Sequence, residues 1–276
     1  MNMGHRELRL DRQGAVATLT FDWPDKANTM GRDFAGQMLD ALAEIERDKR
    51  IQAVVLTGSG KVFCGGGDLF EIMSPERVPI EDDALMVAGY NAVAERLYYL
   101  RCPVIAAVNG PAAGGGAGVA MACDFAVAAP AARYDIAFAR LGLAGSDVGV
   151  PWLLAHHLGP GRANYYMYTA GSINASTGLG LGLFVELVPA EDLLPRAQAL
   201  ALQITQNYTP LTLGITMAHG IPCQPGLRGL PAGGARLGAH GQARPASRPG
   251  ARRSAPGHAA DRRSTGTIPS RRLAAR

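Results

Sequence analysis

The chain has 276 residues, 47% hydrophobic and 18% charged, enough for one large domain or two small ones with a buried core. No apolar run approaches the ~20 residues of a membrane-crossing helix. The formal charge of +4 is uneven: residues 218–276 hold eleven Arg, no Lys and one acid, Asp261, for +10, which leaves −6 on residues 1–217 and argues against a nucleic-acid-binding body.

In chain order, residues 7–10 and 16–21 read as short β-runs, the second alternating apolar with small or polar side chains. Trp23-Pro24-Asp25-Lys26-Ala27-Asn28 is a turn. A helix follows, with Phe34, Met38, Leu42 and Ile45 on one face. Residues 53–57, an apolar run closed by Gly58-Ser59-Gly60, predict a buried strand. The glycine loop Phe63-Cys64-Gly65-Gly66-Gly67-Asp68-Leu69 comes next, then an acidic loop reaching Asp83. Met86, Tyr90, Val93 and Leu97 mark a second amphipathic helix that stops before Pro103. Residues 104–108 predict a buried strand, Gly114-Gly115-Gly116 a second glycine turn, 117–123 a small-residue helix and 125–128 another strand. Helices are predicted over 151–158 and 193–206. Short strands alternating with helices predict an α/β architecture with largely parallel strands.

Beyond about residue 217 the texture changes to Arg, Pro, Gly and Ala with no helical or strand period. Such a segment buries too little apolar area to offset its chain entropy, and disorder is expected. Two origins stay open: a frameshift near codon 217 of a GC-rich gene, or an arginine tail for nucleic acid or acidic surfaces. Met1–Arg12 lacks the apolar stretch of a secretory leader. Cys64, Cys102, Cys123 and Cys223 lack metal-ligand spacing and read as isolated thiols. A cytoplasmic protein is expected, with no metal.

The chemical signal is the pair of glycine clusters, each following a β-run and opening toward a helix. Backbone N–H groups at such a helix start point outward unpaired, so two facing clusters can direct two donors at one oxygen that gains negative charge. Tight packing turns would use the same glycines. Nucleotide-loop patterns fail on spacing, since Gly60-Lys61 lacks the upstream glycine and Val119 stands where G-x-G-x-x-G needs glycine. A serine-hydrolase elbow is absent as well.

The first cluster, together with Pro103-Val104-Ile105-Ala106-Ala107-Val108-Asn109-Gly110-x-x-x-Gly114-Gly115-Gly116, resembles the crotonase (enoyl-CoA hydratase/isomerase) superfamily. The early turn at 23–28, Gly142-Leu143 and Gly182-Leu183-Phe184 with Val188-Pro189 are similar to further stretches of that family, so the likeness runs from Glu7 to about Met217. The resemblance implies an α/β spiral of ββα units over residues 1–190, a C-terminal helical region beginning over 191–217, and trimers or hexamers. It implies an acyl-CoA substrate, with no cofactor beyond that coenzyme A. By motif position, the N–H groups of Gly67 and Gly115 form an oxyanion hole for the thioester carbonyl, while Lys26, Ala27, Gly65, Asp68 and Leu69 hold the CoA moiety. Loss of one such donor costs about 3–4 kcal/mol.

The same resemblance places two hydratase carboxylates where this chain has Gly118 and Phe138. Hydration needs a base for water and an acid for the α-carbon, so isomerisation fits better. Asp147, within 142–149, falls where isomerases and dehalogenases of the family keep a working aspartate; as a loop residue it would cap the helix at Pro151. Asp68 and Asp124 read as structural, Glu71, Glu81 and Asp82–Asp83 as acids near the acyl end, and Tyr134 and Asp135 as turn residues. The alternatives are a non-catalytic acyl-CoA-binding paralogue, or an acyl-CoA hydrolase or dehalogenase using Asp147.

Overall fold

The computed structural model describes residues 8–72, 80–143, 145 and 147–219, with side chains 72, 80–84, 147, 218 and 219 outside that description. Residues 220–276, including Cys223 and nearly all of the arginine-rich tail, lie outside the described residues.

In chain order the strands are β1 (Leu8–Gln13), β2 (Val16–Phe21), β3 (Ala53–Gly58), β4 (Val104–Val108), β5 (Pro111–Ala113), β6 (Phe125–Ala128), β7 (Arg133–Asp135), β8 (Ser172–Asn174) and β9 (Glu186–Leu187). The helices are α1 (Phe34–Arg47), α2 (Leu69–Ile72), α3 (Ile80–Tyr98), α4 (Gly115–Met121), α5 (Val150–Leu158), α6 (Pro160–Thr169), α7 (Ala175–Leu181), α8 (Leu193–Asn207) and α9 (Pro210–His219). The acidic stretch expected to be loop up to Asp83 is helical from Ile80, where α3 begins.

Six strands form one sheet in the order β1-β2-β3-β4-β6-β9, parallel except for the β1–β2 hairpin. Covered on both faces, its central strands carry unbroken apolar runs such as Val104-Ile105-Ala106-Ala107-Val108. Leu19, Phe21, Leu56, Ala106 and Val108 face the larger core beneath α1, α3 and α4. Val16, Val55, Ile105 and Val127 face the opposite way, onto Leu193, Ala197 and Ala201 of α8.

A second layer runs beside this sheet. Met30 bridges Gly67 in parallel, Cys64 bridges Ala112, and β5 pairs β7 in parallel. Each turn of the chain therefore repeats a strand in the large sheet, a short extended piece in the second layer, and a helix. This is the expected spiral of ββα units. The second layer was not visible in the sequence, because its members are one to three residues long and below any period test.

Polar tethers fix the ends of these units. Arg101 donates to the carbonyl oxygens of Ile45 (2.8 Å), Asp48 (2.6 Å) and Ile51 (2.8 Å), capping α1 and the turn after it. His157 of α5 donates from Nε2 to the Met121 carbonyl of α4 at 3.0 Å.

Arg101→Ala leaves carbonyls at the α1 C-terminus without a partner and is expected to cost about 2–3 kcal/mol by urea denaturation. His157 has its pKa lowered from 6.5 by burial and by His156, against the opposing pull of the Met121 carbonyl. The unfolded chain then takes up the proton more readily than the folded one. Its contribution to stability is complete above pH 6.5 and is lost as the pH falls below it. The unfolding midpoint should drop between pH 7.5 and pH 5, and less so in His157→Gln.

Candidate active site

The two glycine clusters meet on adjacent turns of the spiral. The Ala113 N–H donates to the Cys64 carbonyl at 2.9 Å, and the Cys64 N–H to Pro111 at 3.3 Å, so the first cluster lies along β5. Gly66 adopts φ +83°, and a Cβ there would sit 2.5 Å from the Ala113 carbonyl oxygen and 3.7 Å from the Gly115 nitrogen. Only glycine meets both demands, and its small size brings the loop holding Gly67 against the start of α4.

The donors at these junctions are arranged by the pairing. Met30 donates to the Gly66 carbonyl (2.7 Å) and accepts from Asp68 N–H (3.0 Å), so the Gly67 N–H points to the other side of its strand. Gly115 is the first residue of α4. Neither the Gly67 nor the Gly115 N–H has an acceptor among the described residues. Two unsatisfied donors on neighbouring turns are the site's main chemical resource.

The residues expected to hold CoA gather beside them. The Gly65 N–H donates to the Ala27 carbonyl at 2.9 Å, joining the early turn to the first cluster. The Lys26 ammonium lies 5.7 Å from the Trp23 ring centroid and 5.8 Å from that of exposed Phe70. Leu69 is partly exposed, whereas Asp68 is buried and accepts from the N–H groups of Phe70 (2.9 Å) and Glu71 (3.4 Å), capping α2. Asn28, buried with φ +53°, accepts from Trp23 N–H and donates to Ser59 and Val62 carbonyls, which locks the turn.

The places assigned to hydratase acids are closed. A Cβ on Gly118 would lie 2.8 Å from Val150 Cγ2 and 2.9 Å from Val148 Cβ. Phe138 is buried, and its ring stands 3.6 Å from the Cβ position of Gly114. Apolar groups thus fill both positions.

The Asp147 side chain lies outside the described residues, but its backbone opens a short 3-10 turn with Val148 and Gly149. Val148 is fully buried, and its Cγ2 would come within 2.8 Å of a Cβ on Gly115. The turn is therefore docked on the second glycine cluster. The helix after it, α5, takes Gly149 as its N-cap.

Other candidates have plainer tasks. Asp124 accepts from Val104 N–H at 2.7 Å, and Glu71 from Arg32 N–H at 3.0 Å. Tyr134, expected in a turn, is a β7 residue buried against Phe184 with ring centroids 4.9 Å apart. Cys64, Cys102 and Cys123 are free and buried. Burial pushes the Cys64 thiol up to about 12, which keeps it neutral and unsuited to nucleophilic attack. Sequence reasoning missed Asn91 and Val148, neither of which carries a local signal. Asn28 was part of the recognised turn, and its polar type at a left-handed position was the available clue.

Comparison with known proteins places this arrangement. The sequence profile of the enoyl-CoA hydratase/isomerase family matches residues 11–216. The chain is 35% identical over 195 residues to a 1,2-epoxyphenylacetyl-CoA isomerase of Escherichia coli, covering 70% of this chain and 74% of that protein. It is 36% identical over 199 residues to a short-chain-enoyl-CoA hydratase of Clostridium acetobutylicum, covering 72% and 75%. The crystal structure of an enoyl-CoA hydratase from Bacillus anthracis superposes with a TM-score of 0.73 at 28% identity, covering 77% and 81%. With the spiral of ββα units and the paired glycine clusters, these matches show that the chain belongs to the enoyl-CoA hydratase/isomerase family.

Proposed function

We infer that the protein shifts a double bond within an acyl-CoA thioester by way of an enolate. The observation that carries this reading is the pair of N–H groups at Gly67 and Gly115 with no acceptor among the described residues, beside two acid positions filled by apolar groups. The thioester oxygen accepts from both N–H groups, which favours the charge that develops when an α-proton leaves.

Asp147 takes that proton from the α-carbon of a 3-enoyl thioester. The C–H electron pair forms a double bond between the α-carbon and the carbonyl carbon as the carbonyl π pair moves onto the thioester oxygen; when that pair returns, the new double bond shifts to the α,β position and the former β,γ π pair takes up a proton at the γ-carbon. The same carboxyl group then returns a proton at the γ-carbon, so one carboxylate completes the cycle. Lys26, Ala27, Gly65, Asp68 and Leu69 form the wall that receives CoA, and no group beyond the thioester is required. Addition of water would need a second acid or base, and Gly118 and Phe138 supply neither.

Incubating a panel of 2-enoyl- and 3-enoyl-CoA thioesters with the protein in deuterated water is expected to give deuterium uptake without added mass of water. Asp147→Asn should lower turnover about 10²- to 10⁴-fold while thioester binding persists. Turnover that survives this change, or products carrying the elements of water, would overturn the reading. Binding with no turnover of any thioester would favour a non-catalytic acyl-CoA binder instead. Release of free CoA would favour a hydrolase.

Gly118→Glu, which restores a carboxylate at the first hydratase position, is expected not to create hydratase activity. It collides with Val148 and Val150, and should lower stability by at least about 1–3 kcal/mol in thermal or urea unfolding.

A further inference from the structure

Two consecutive residues of α3 reach the two halves of the site. The Tyr90 hydroxyl donates to the carbonyl oxygens of Met30 (2.7 Å) and Gly31 (3.1 Å), and Met30 is the residue that bridges Gly67. Asn91 Oδ1 accepts from the Val148 N–H at 2.7 Å, and Val148 is the residue after Asp147. Val148 holds φ +57° and ψ +21°, a left-handed conformation that a β-branched residue adopts only when its surroundings impose it. Its buried side chain lies against Gly115 and Gly118, and the Asn91 amide is the described polar partner of its N–H.

We propose that Asn91 is a positioning residue that holds the Asp147 turn in register with the Gly67 and Gly115 N–H groups. One helix, α3, then ties the backbone turn that carries Asp147 and the strand segment beside Gly67 to a common frame. This assignment rests on the role of Asp147 given above. Misplacement of a reacting group by about 1 Å costs on the order of 10²-fold in rate, so one hydrogen bond at this point has kinetic weight.

The test compares Asn91→Ala, Asn91→Asp and Asp147→Asn in the full chain, with 3-enoyl-CoA thioesters as the probe. Asn91→Ala should lower kcat about 10- to 100-fold with little change in KM, and should speed hydrogen exchange at the Val148 amide. Asn91→Asp keeps an acceptor for Val148 N–H and should recover kcat. Its new negative charge disfavours ionised Asp147, so the acid limb of the rate profile should move to higher pH. In an Asp147→Asn background, Asn91→Ala should cost little further.

Unchanged kcat and unchanged Val148 exchange in Asn91→Ala would overturn the proposal. So would an unshifted acid limb in Asn91→Asp, which also decides the matter if Asn91→Ala does not fold. If Asp147→Asn keeps full turnover, the role of Asp147 fails. If no probe is turned over at all, Val148 exchange alone judges the tether, and unchanged exchange overturns it. A tether lost with no effect on kcat refutes Asn91 while leaving Asp147 in place.

Discussion

The contact on which the site depends is the approach of one backbone to another at Gly66, where the Ala113 carbonyl oxygen occupies the space of a side chain. Peptide groups come that close only where no Cβ intervenes. Because they do, Cys64 and Ala112 pair in register and the loop holding Gly67 lies beside the start of α4. A larger residue at Gly66 would push apart the turns of the spiral and move the loop holding Gly67 away from the start of α4. The rest of the second layer extends the same ladder through β5, β7 and β8.

The large sheet makes that approach possible by being rigid. Its central strands are buried on both faces, with α1, α3 and α4 beneath and α8 above. Strand ends therefore have little freedom, and the loops leaving β3 and β4 inherit fixed directions. Asn109 adds to this, accepting from Gly58 N–H at 3.2 Å and donating to the Gly60 carbonyl at 3.0 Å. The loop after one strand is thus tied to the loop after the next before either reaches its glycines.

Much of this was legible in the sequence, for identifiable reasons. Runs such as 53–57 and 104–108 are long and apolar enough to declare buried strands, and the amphipathic period at Phe34, Met38, Leu42 and Ile45 declares α1. The vacancy at Gly118 could also be read, since a missing carboxylate is a matter of residue type. What fills that vacancy could not. Val148 comes from thirty residues downstream, in a left-handed turn that no propensity favours, and its partner Asn91 sits on a helix face chosen by packing. Long-range contacts between polar side chains and single backbone groups leave no periodic trace.

Cys64 illustrates a different demand on such a site. Its sulfur would lie 2.9 Å from a Cβ on Gly116, in the second glycine cluster. A thiolate in that position would compete for the acyl group by thiol exchange, leaving the enzyme acylated and the coenzyme free. Burial pushes its pKa up to about 12, which holds the sulfur as the neutral thiol at physiological pH. The packing that closes over this sulfur beside Gly116 therefore also withholds it from acyl exchange with thioesters.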